Sequence, residues 1–577
     1  MPTASTRRRP GKKAGANAGK TPSENLREGG AVESDFDDAF VVPERVWLWA
    51  GLAVLLVAAL FRLYALELKP LHHDEGVNAF FLTRLVREGA YQYDPSNYHG
   101  PTLYYFALVP AYLLENVLKV GMNTFGLRLI PALFGIATVW LALSLRRYIG
   151  TVGALAAAAL IAVSPGAVYQ SRYFIHEALF VFFTFGIVVA ALRYYETARP
   201  LYLMLAFASA ALLFATKETA FISVGVLGLA WAVTAAWMRL ARESGWVQAE
   251  TARKNLRAAK RTSPTDAGGA TLRDVPRERI ALLIGGGLAL FVFINVLFYS
   301  SFFTYGEGVS KALETFQYWT KTANTDHAKP QTAYLSWLLQ EEAAILLLGM
   351  LGAAWAVLRA EDRFAIFAAA WAFGTLAAYS LIEYKTPWLS LNFVVPMAIA
   401  AGYAVERVVS YAAGELFGRG EAARGRRGAL ALAVTGVAAA LGAYQAAVLN
   451  FVYYDDDRYP YVYAHTHRDF LRMVGEVERL AARAGTGKET PVTVVTPDYW
   501  PLPWYLRDYK GVGYAGSVGT VSEPIVIAKV PAGHKEEEEY KSLLSQISGR
   551  YQKIGDSYVL RPGVNLVIYA RNDLAGG

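Results

Sequence analysis

The sequence contains no cysteine, and only 18% of its 577 residues are charged. The absence of cysteine excludes disulfide bonds, thiolate nucleophiles and cysteine metal sites, so any water-exposed part must fold by burial alone. The scarcity of charge excludes an ordinary soluble protein of several domains, because 54% of the residues are hydrophobic and the mean hydropathy is +0.25. These values are typical of an integral membrane protein.

The net charge of +8, with a pI near 9.2, would indicate nucleic-acid binding in a soluble protein. Here, however, the basic residues are concentrated in loops between long apolar runs. Such a distribution orients a membrane protein, because cytoplasmic loops carry an excess of lysine and arginine. We therefore expect membrane lipids, and no nucleic acid, as partners of this chain.

Eleven apolar runs have the length and composition of helices that cross a hydrocarbon core. They lie near residues 46–66, 127–145, 151–169, 174–194, 200–216, 219–238, 280–300, 343–358, 364–382, 388–405 and 429–450. The pattern predicts a mainly α, polytopic helical membrane protein. Residues 1–44, rich in Gly, Ala, Ser and charge, are expected to form a disordered basic tail in the cytoplasm.

The charges of the loops predict the orientation of these spans. With the N-terminus inside, the cytoplasmic loop 239–279 carries ten Lys and Arg against five Asp and Glu, whereas the opposite loop 67–124 carries four against six. The same placement puts the other arginine-rich loops in the cytoplasm, as the positive-inside rule requires. We therefore expect a multi-pass protein of the cytoplasmic membrane whose polar chemistry lies on the outer side.

The first outer loop contains two apolar stretches that are not convincing spans. Residues 77–86 are too few, and residues 101–120 are interrupted by Pro110, Glu115 and Asn116. We interpret both as amphipathic helices that lie in the membrane interface. A transmembrane domain over residues 45–452 is thus predicted to include two interfacial helices.

The C-terminal part, residues 453–577, has a different hydrophobic period and is predicted to form a small extracytoplasmic α/β domain. Helical patterns at 468–484 and 536–547 alternate with β-branched runs at 491–496 and 524–530. Its aromatic segment from Trp500 to Tyr505 favours acceptor binding or a lid, although aromatic residues of this kind are as often core.

Candidate catalytic acids follow the first span directly, in the motif HHDEG at residues 72–76. A partly desolvated carboxylate at a membrane surface can have a raised pKa and accept a proton from a substrate hydroxyl. Asp74 and Glu75 are therefore candidate catalytic residues. The alternative is that Asp74 merely caps the helix that begins near Val77.

Basic side chains at the same level are candidates for binding a phosphate. Arg84 lies on the first interfacial helix and His99 precedes a Gly-Pro turn, although contact with lipid headgroups is the commoner role of such an arginine. Further acids and bases at the outer ends of later spans complete the candidate substrate-binding set: Arg172, Glu177, Lys217, Glu218 and Lys385. We expect these side chains to converge on one polar pocket at the outer leaflet.

A divalent cation is an open alternative at this site. His72, His73, Asp74, Glu75 and His99 are all plausible ligands, because imidazole and carboxylate groups bind such metals. Their spacing matches no closed ligand motif. We therefore expect no bound metal or other cofactor, and keep metal dependence as the alternative.

The order of these motifs resembles the GT-C superfamily of membrane glycosyltransferases, which includes protein O-mannosyltransferases and the aminoarabinose transferases of lipid A. The resemblance covers residues 45–400. It rests on the acidic pair after the first span, the interfacial helix and the Gly-Pro turn, followed by a span from Arg128 to Arg147. More narrowly, the segments 72–76, 98–105, 171–177 and 383–388 resemble a prokaryotic branch associated with flippase activity in archaeal-type N-glycosylation.

The resemblance implies transfer of a sugar from a polyprenyl-phosphate-linked donor to a protein, glycan or lipid acceptor on the outer face. It implies that Asp74 acts as the base or orients the acceptor, that Glu75 is the second acid, and that basic residues hold the donor phosphate. The lipid A enzymes have a lysine before the proline of the second interfacial helix, where this chain has Gly100. In this chain His99 is the candidate substitute.

Two other functions compete with the transferase. The first is a lipid-linked oligosaccharide flippase or a related transporter without transferase chemistry. Transporters usually carry ionisable or broken-helix features near the bilayer midplane, and the sequence has almost no ionisable residues in the middle of its apolar runs. The second is a scaffold or receptor that works through its C-terminal domain and uses residues 536–539 as a binding patch. A solvated helix face explains that acidic run equally well.

Overall fold

The computed structural model describes residues 42–97, 99–244, 276–322, 328–417, 422–517 and 519–576. The helices in these ranges are α1 (Glu44–Leu63), α2 (His73–Glu88), α3 (Thr102–Tyr112), α4 (Thr124–Leu143), α5 (Arg146–Ile149), α6 (Thr151–Val163), α7 (Pro165–Ser171), α8 (Glu177–Thr197), α9 (Pro200–Phe214), α10 (Ala220–Glu243), α11 (Arg277–Tyr299), α12 (Gly308–Thr322), α13 (Ala333–Glu341), α14 (Ala343–Arg359), α15 (Arg363–Leu381), α16 (Leu391–Phe417), α17 (Ala422–Phe451), α18 (Asp469–Arg483), α19 (Leu502–Tyr505), α20 (His534–Ile547) and α21 (Asn572–Ala575). The strands are β1 (Val492–Val495), β2 (Val512–Ala515), β3 (Ile525–Lys529), β4 (Tyr551–Arg561) and β5 (Val564–Arg571). The predicted basic tail lies outside the described residues except for its last three, and so does most of the loop 239–279.

Seven helical segments of the described chain are long and apolar enough to cross a membrane by length and composition. They are α1, α4, α8, α10, α11, α15 and α16, the last counted with the turn Pro387–Ser390 before it. Two further segments are bent pairs, α6 with α7 at 59° and α13 with α14 at 110°, and α9 and the end of α17 are shorter apolar helices. Counting each bent pair as one span gives nine candidate spans in the described residues, against about eleven predicted; the mainly α fold class with a small C-terminal sheet is confirmed.

Helix α16 lies at the centre of the membrane domain, because 94% of its apolar window is buried, against 17% for α1 and 6% for α11. Small residues allow the helices around α16 to approach closely. A Cβ atom added to Gly352 of α14 would lie 2.0 Å from the carbonyl oxygen of Ala400, and one added to Gly402 would lie 2.4 Å from that of Gly153. The apolar, exposed surfaces of α1 and α11 fit contact with lipid.

The two apolar stretches of the first outer loop both form helices, and neither is among the candidate spans. Helix α2 begins one turn before the predicted start at residue 77. Helix α3 contains Pro110, ends at Tyr112 and continues into a single π turn at Leu113–Val117. Proline lacks the N–H that would continue the helical hydrogen bonds, which accounts for the irregular end.

The C-terminal part contains a five-stranded mixed sheet with the order β2-β1-β3-β5-β4, in which β1 pairs in parallel with β2 and β3 and the other pairs are antiparallel. Alternate residues of β3 face opposite sides: Ile525 and Ile527 pack with α18, and Val526 and Ala528 pack with α20. Helices α18 and α20 thus cover opposite faces of the sheet, which gives three layers. The predicted α/β class of this part is confirmed. Strands β2, β4 and β5, and helix α12 in the membrane domain, were not predicted.

The sheet domain is attached directly to the end of the membrane domain that carries the start of α2. The hydroxyl of Tyr505 accepts a hydrogen bond from the backbone N–H of Leu71 at 2.9 Å, and Arg87 of α2 pairs with Asp508 at 2.7 Å. Pro501 contacts Gly76 so closely that a Cβ atom at position 76 would lie 2.7 Å from the proline Cβ. The start of α2 is therefore covered on one side by the C-terminal domain.

Candidate active site

Helix α2 begins with a capping box made by His72 and Glu75. The Nδ1 atom of His72 accepts a hydrogen bond from the backbone N–H of Asp74 at 3.1 Å, and Glu75 Oε2 accepts one from the backbone N–H of His72 at 2.9 Å. These contacts satisfy backbone donors that the first turn of a helix leaves free. The capping role considered for Asp74 is therefore wrong, since its carboxylate is not used as a cap.

The Asp74 carboxylate is the open acid of this turn, with 45% of its side chain exposed. Among the described residues, His72 Nδ1 is the only Lys, Arg or His nitrogen within 4.0 Å of it, at 3.8 Å. Asp74 lies at the N-terminus of a helix, where the backbone dipoles present positive charge. An ionised, accessible carboxylate can take a proton from a hydroxyl placed beside it.

Glu75, one residue further on, is fully buried and paired. Arg128 of α4 donates to both of its carboxylate oxygens at 2.7 and 2.8 Å, and the backbone N–H of Phe174 donates to Oε1 at 2.7 Å. Burial alone would raise the pKa of Glu75, but Arg128 and then Lys69 outweigh it, so the pKa lies below its ordinary value. We call Glu75 with Arg128 the buried pair; it joins α2 to α4 and to the segment after α7.

Four of the other predicted residues come together in what we call the outer cluster: His99, Glu177, Lys217 and Glu218. Lys217 Nζ lies 2.6 Å from Glu177 Oε1, and both side chains are almost fully buried. His99 Nδ1 lies 3.1 Å from Glu218 Oε2, and the imidazole remains 31% exposed. Burial opposes the charge of Lys217, but Glu177 and Glu218 outweigh it and raise its pKa.

Gly100 permits the close approach of the two loops that carry the outer cluster. Its backbone N–H donates to the carbonyl oxygen of Thr216 at 3.0 Å, and a Cβ atom added to it would lie 2.1 Å from the carbonyl oxygen of Ala215. His176 Nε2 lies 3.0 Å from the Gly100 carbonyl oxygen and its ring stands 5.0 Å from that of His99. Only glycine fits at such an approach.

Tyr384 relates the outer cluster to Asp74. Burial raises the pKa of its hydroxyl, and the negative charges of Asp74, Glu177 and Glu218 raise it further. All three carboxylates therefore lie within electrostatic reach of one phenol group. The sequence analysis selected Lys385 from this motif. The neighbouring Tyr384 is the residue whose pKa responds to acids of the other segments.

Three of the predicted cations are committed to other contacts. Arg172 is buried and donates to the carbonyl oxygens of Tyr64 and Ala65 at 2.6 Å, at the end of α1, where a cation is favourable. Arg84 is exposed and pairs with Glu88 one turn further along α2 at 3.2 Å. Lys385 donates to the carbonyl oxygen of Ile382. None of the three contacts a member of the outer cluster.

The residues considered as metal ligands are turned toward different partners. Glu75 belongs to the buried pair, His99 contacts Glu218, and His72 caps α2. Across the described ranges, no three His, Asp or Glu side chains gather in an arrangement that fits a metal ion.

The C-terminal domain places two residues near the start of α2: Trp500, from the predicted aromatic segment, and Arg561, which the sequence did not indicate. The Trp500 ring stands 6.2 Å from those of His73 and Phe80 on α2. Arg561, which pairs with Asp498, contributes to lowering the pKa of His73, after the larger effect of burial. The aromatic segment was visible in the sequence, but Arg561 ends a polar strand and carried no signal.

The chain is similar to known membrane glycosyltransferases. A family model described as dolichyl-phosphate-mannose-protein mannosyltransferase matches residues 106–250. ArnT from Cupriavidus metallidurans bound to undecaprenyl phosphate matches with a TM-score of 0.59 and 14% identity, over 93% of this chain and 100% of that chain. No curated protein matches significantly.

The archaeal oligosaccharyltransferase AglB from Archaeoglobus fulgidus, in complex with an inhibitory peptide and a dolichol-phosphate, gives a TM-score of 0.51 and 14% identity, over 88% of this chain and 73% of that chain. At such low identity these matches establish the architecture. The fold is the GT-C fold that the motif order indicated, and it extends through the C-terminal domain as well as the spans.

Proposed function

We propose that this GT-C protein is a membrane glycosyltransferase, which moves a sugar from a polyprenyl-phosphate-linked donor to an acceptor at the outer face of the cytoplasmic membrane. The observation that carries the proposal is the accessible carboxylate of Asp74 at the start of α2, which acts on the same Tyr384 hydroxyl as Glu177 and Glu218 of the outer cluster. The similar structures of ArnT bound to undecaprenyl phosphate and of AglB in complex with a dolichol-phosphate support the donor class. The acceptor is a protein, glycan or lipid.

In the reaction, the acceptor hydroxyl or amide attacks the anomeric carbon of the sugar, and the bond from that carbon to the phosphate oxygen breaks. Asp74 accepts the acceptor proton, which makes the acceptor a better nucleophile as the new bond forms. The polyprenyl phosphate leaves with the electron pair of the broken bond. Developing negative charge on that phosphate is stabilised by positive groups placed near it.

Within this scheme the exposed residues are candidates for contact with the substrate, and the buried residues hold other side chains in position. His99 is the accessible member of the outer cluster and is our candidate contact for the donor phosphate, with Lys217 placed behind it. Glu218 and Glu177 hold these two bases in place. Glu75, Arg128 and Arg172 act as positioning residues, because their polar atoms are occupied by protein partners.

The proposal is tested by incubating the purified protein with a panel of radiolabelled polyprenyl-phosphate sugars and an extract of acceptors, and measuring release of polyprenyl phosphate. Asp74→Asn removes the base but keeps size and polarity, so we expect release to fall by about 10²–10⁴-fold. The thermal unfolding midpoint should stay near that of the unmodified protein, because Asp74 is half exposed.

Asp94→Asn is the matched control, because Asp94 is an exposed acid of the same loop that contacts only Ser96 among the described residues. Its release should equal that of the unmodified protein. Equal release by Asp74→Asn would remove Asp74 from the mechanism. No release from any donor by the unmodified protein would contradict transferase activity.

A flippase is the second candidate, and one observation favours it. The two bent spans meet at Glu342, which lies between α13 and α14 and accepts hydrogen bonds from Ser164 Oγ at 2.6 Å and from the backbone N–H of Gly166 at 2.9 Å at the bend between α6 and α7. Broken helices around a buried polar group are typical of transporters. Translocation of a fluorescent lipid-linked sugar in proteoliposomes, abolished by Glu342→Gln and retained in Asp74→Asn, would support this function.

A further inference from the structure

Three nitrogen donors lie buried beneath the start of α2 without a hydrogen-bond partner among the described residues. They are Lys69 Nζ, His72 Nε2 and His465 Nε2, in residues that are 2%, 4% and 1% exposed. A buried polar group without a partner costs folding free energy, so native structures almost always supply one. We call these three residues the donor cluster.

Aromatic contacts place the donor cluster in one small region. The rings of His72 and His465 are stacked 5.8 Å apart at 5°, and each centroid lies 5.4 Å from that of Tyr173. Lys69 Nζ stands 4.0 Å from the centre of the Tyr173 ring and 3.6 Å from that of Tyr169. The ammonium group thus contacts aromatic faces, which attract a cation but supply no hydrogen-bond acceptor atom.

The hydrogen positions follow from the partners on the other side of each ring. His72 Nδ1 accepts from the backbone N–H of Asp74, so the hydrogen of the neutral imidazole lies on Nε2. Burial lowers the pKa of both histidines, which favours the neutral rings. His465 Nδ1 lies 2.8 Å from the Tyr173 hydroxyl, and when this hydroxyl is the donor the hydrogen of the imidazole also lies on Nε2. All members of the donor cluster then present N–H groups.

The charges around the donor cluster are unbalanced. Glu75 is neutralised by Arg128, and Arg172 occupies the carbonyl groups at the end of α1. The Asp74 carboxylate lies 3.8 Å from Nδ1 of His72, the ring nitrogen that does not belong to the site. Lys69 has no carboxylate within salt-bridge distance among the described residues. Burial and then the charge of Arg128 lower the pKa of Lys69 in the ion-free protein. A water molecule would satisfy the donors without restoring the ammonium form, whereas an anion would do both. Since every member is at least 95% buried, the anion must be small.

We propose that Lys69, His72 and His465 form a binding site for a chloride ion between the membrane domain and the segment that leads into the C-terminal domain. His72 caps α2, and His465 lies in the connection between α17 and α18. The bound ion therefore joins the start of α2 to this connection and holds the turn that carries Asp74. The site is independent of any transfer of sugar.

The first test measures thermal unfolding of the full purified chain in sodium gluconate, with sodium chloride or bromide replacing gluconate at constant ionic strength. A ligand that binds only the folded protein raises its unfolding temperature with increasing concentration. We expect a rise of about 2 °C or more that saturates with both halides. Lack of any halide-dependent rise would overturn the proposal.

Lys69→Met removes the ammonium group and keeps the length of the side chain, so it should abolish the response to halide. Lys541→Met makes the same change at an exposed lysine of α20 and should keep the response. A response lost equally in both variants, or kept in both, would contradict the site. If Lys69→Met does not fold, the bromide measurement below decides the question.

Bromide locates the ion in the unmodified protein, because its anomalous scattering distinguishes it from water. Crystals grown in sodium bromide should show one anomalous peak within hydrogen-bond distance of Lys69 Nζ and His72 Nε2. A site that instead holds a water molecule, with no anomalous signal, would show that the donors are satisfied without an anion and would overturn the proposal.

Discussion

Asp74 and Glu75 are adjacent acids in the same turn of α2, yet they lie in opposite environments. The Asp74 side chain is 45% exposed and lies 3.8 Å from one imidazole nitrogen, whereas Glu75 is fully buried and receives four hydrogen bonds. Successive helical residues point about 100° apart, so one acid can face the core while its neighbour faces solvent. The motif therefore combines a structural acid, Glu75, with an accessible one, Asp74.

The largest expected effect is loss of stability on substituting Glu75. Glu75→Gln leaves Arg128 charged, buried and without its carboxylate, which costs about 3–5 kcal/mol of the free energy of unfolding. Denaturation in mixed micelles, followed by circular dichroism, measures this value. Glu88→Gln is the control, since its exposed pair with Arg84 should contribute less than about 1 kcal/mol. A stable Glu75→Gln variant with lost activity would instead make Glu75 catalytic.

The second prediction concerns the buried half of the outer cluster. Lys217→Met and Glu177→Gln should each destabilise the protein, and the double variant should lose less than the sum, with a coupling of about 1–3 kcal/mol. The physical reason is that each single change leaves the other group buried without its partner.

The exposed pair Arg239–Glu243 provides the matched control cycle, because its atoms are 2.7 Å apart, close to the 2.6 Å of Lys217 and Glu177, but lie at the surface. Its coupling should be about 0.3–0.5 kcal/mol. Equal couplings in the two cycles would mean that Lys217 is hydrated in the membrane-bound protein and that the outer cluster is open.

The third prediction is a pH dependence of stability from Glu218. Burial would raise the pKa of this carboxyl, but His99 and then Lys217 outweigh it, so its pKa in the folded protein lies below the ordinary value of 4.5. A lowered pKa contributes stability that is present above pH 4.5 and is lost as the pH falls through the folded value.

The measurement is the unfolding midpoint of the unmodified protein and of Glu218→Gln between pH 7 and pH 3. We expect the difference between the two proteins to be about 1 kcal/mol near neutrality and to shrink on acidification below the ordinary pKa. A difference that stays constant over this range would show that Glu218 is not ionised in the folded protein.

The spans were predictable because each depends on about twenty consecutive apolar residues, a purely local property. The roles of Glu75 and Arg172 were not, since their partners Arg128 and Ala65 lie 53 and 107 positions away in the chain. The contact of Lys217 with Glu177 was predictable from topology, because both residues lie at ends of apolar runs that were predicted to be on the same side of the membrane. Strand β4 was missed because its residues are mostly polar and alternate weakly.

The smallest expected effect is that of Arg84→Gln. Arg84 lies on the exposed face of α2 and contacts only Glu88 among the described residues, so stability should change by less than about 0.5 kcal/mol. Release of polyprenyl phosphate should be unchanged, and the same assay that measures Asp74→Asn measures it. A large loss of activity with unchanged stability would place the donor phosphate along this face of the helix.

The contact between Gly76 and Pro501 has a consequence for how an acceptor reaches the site. Because the side chain of Gly76 is a single hydrogen atom, the first turn of α2 packs directly against the proline. Nothing as thick as a sugar ring or a peptide can pass between them. An incoming molecule must approach Asp74 from a side of this turn that Pro501 does not cover. The direction of entry is therefore set by the smallest side chain in the motif.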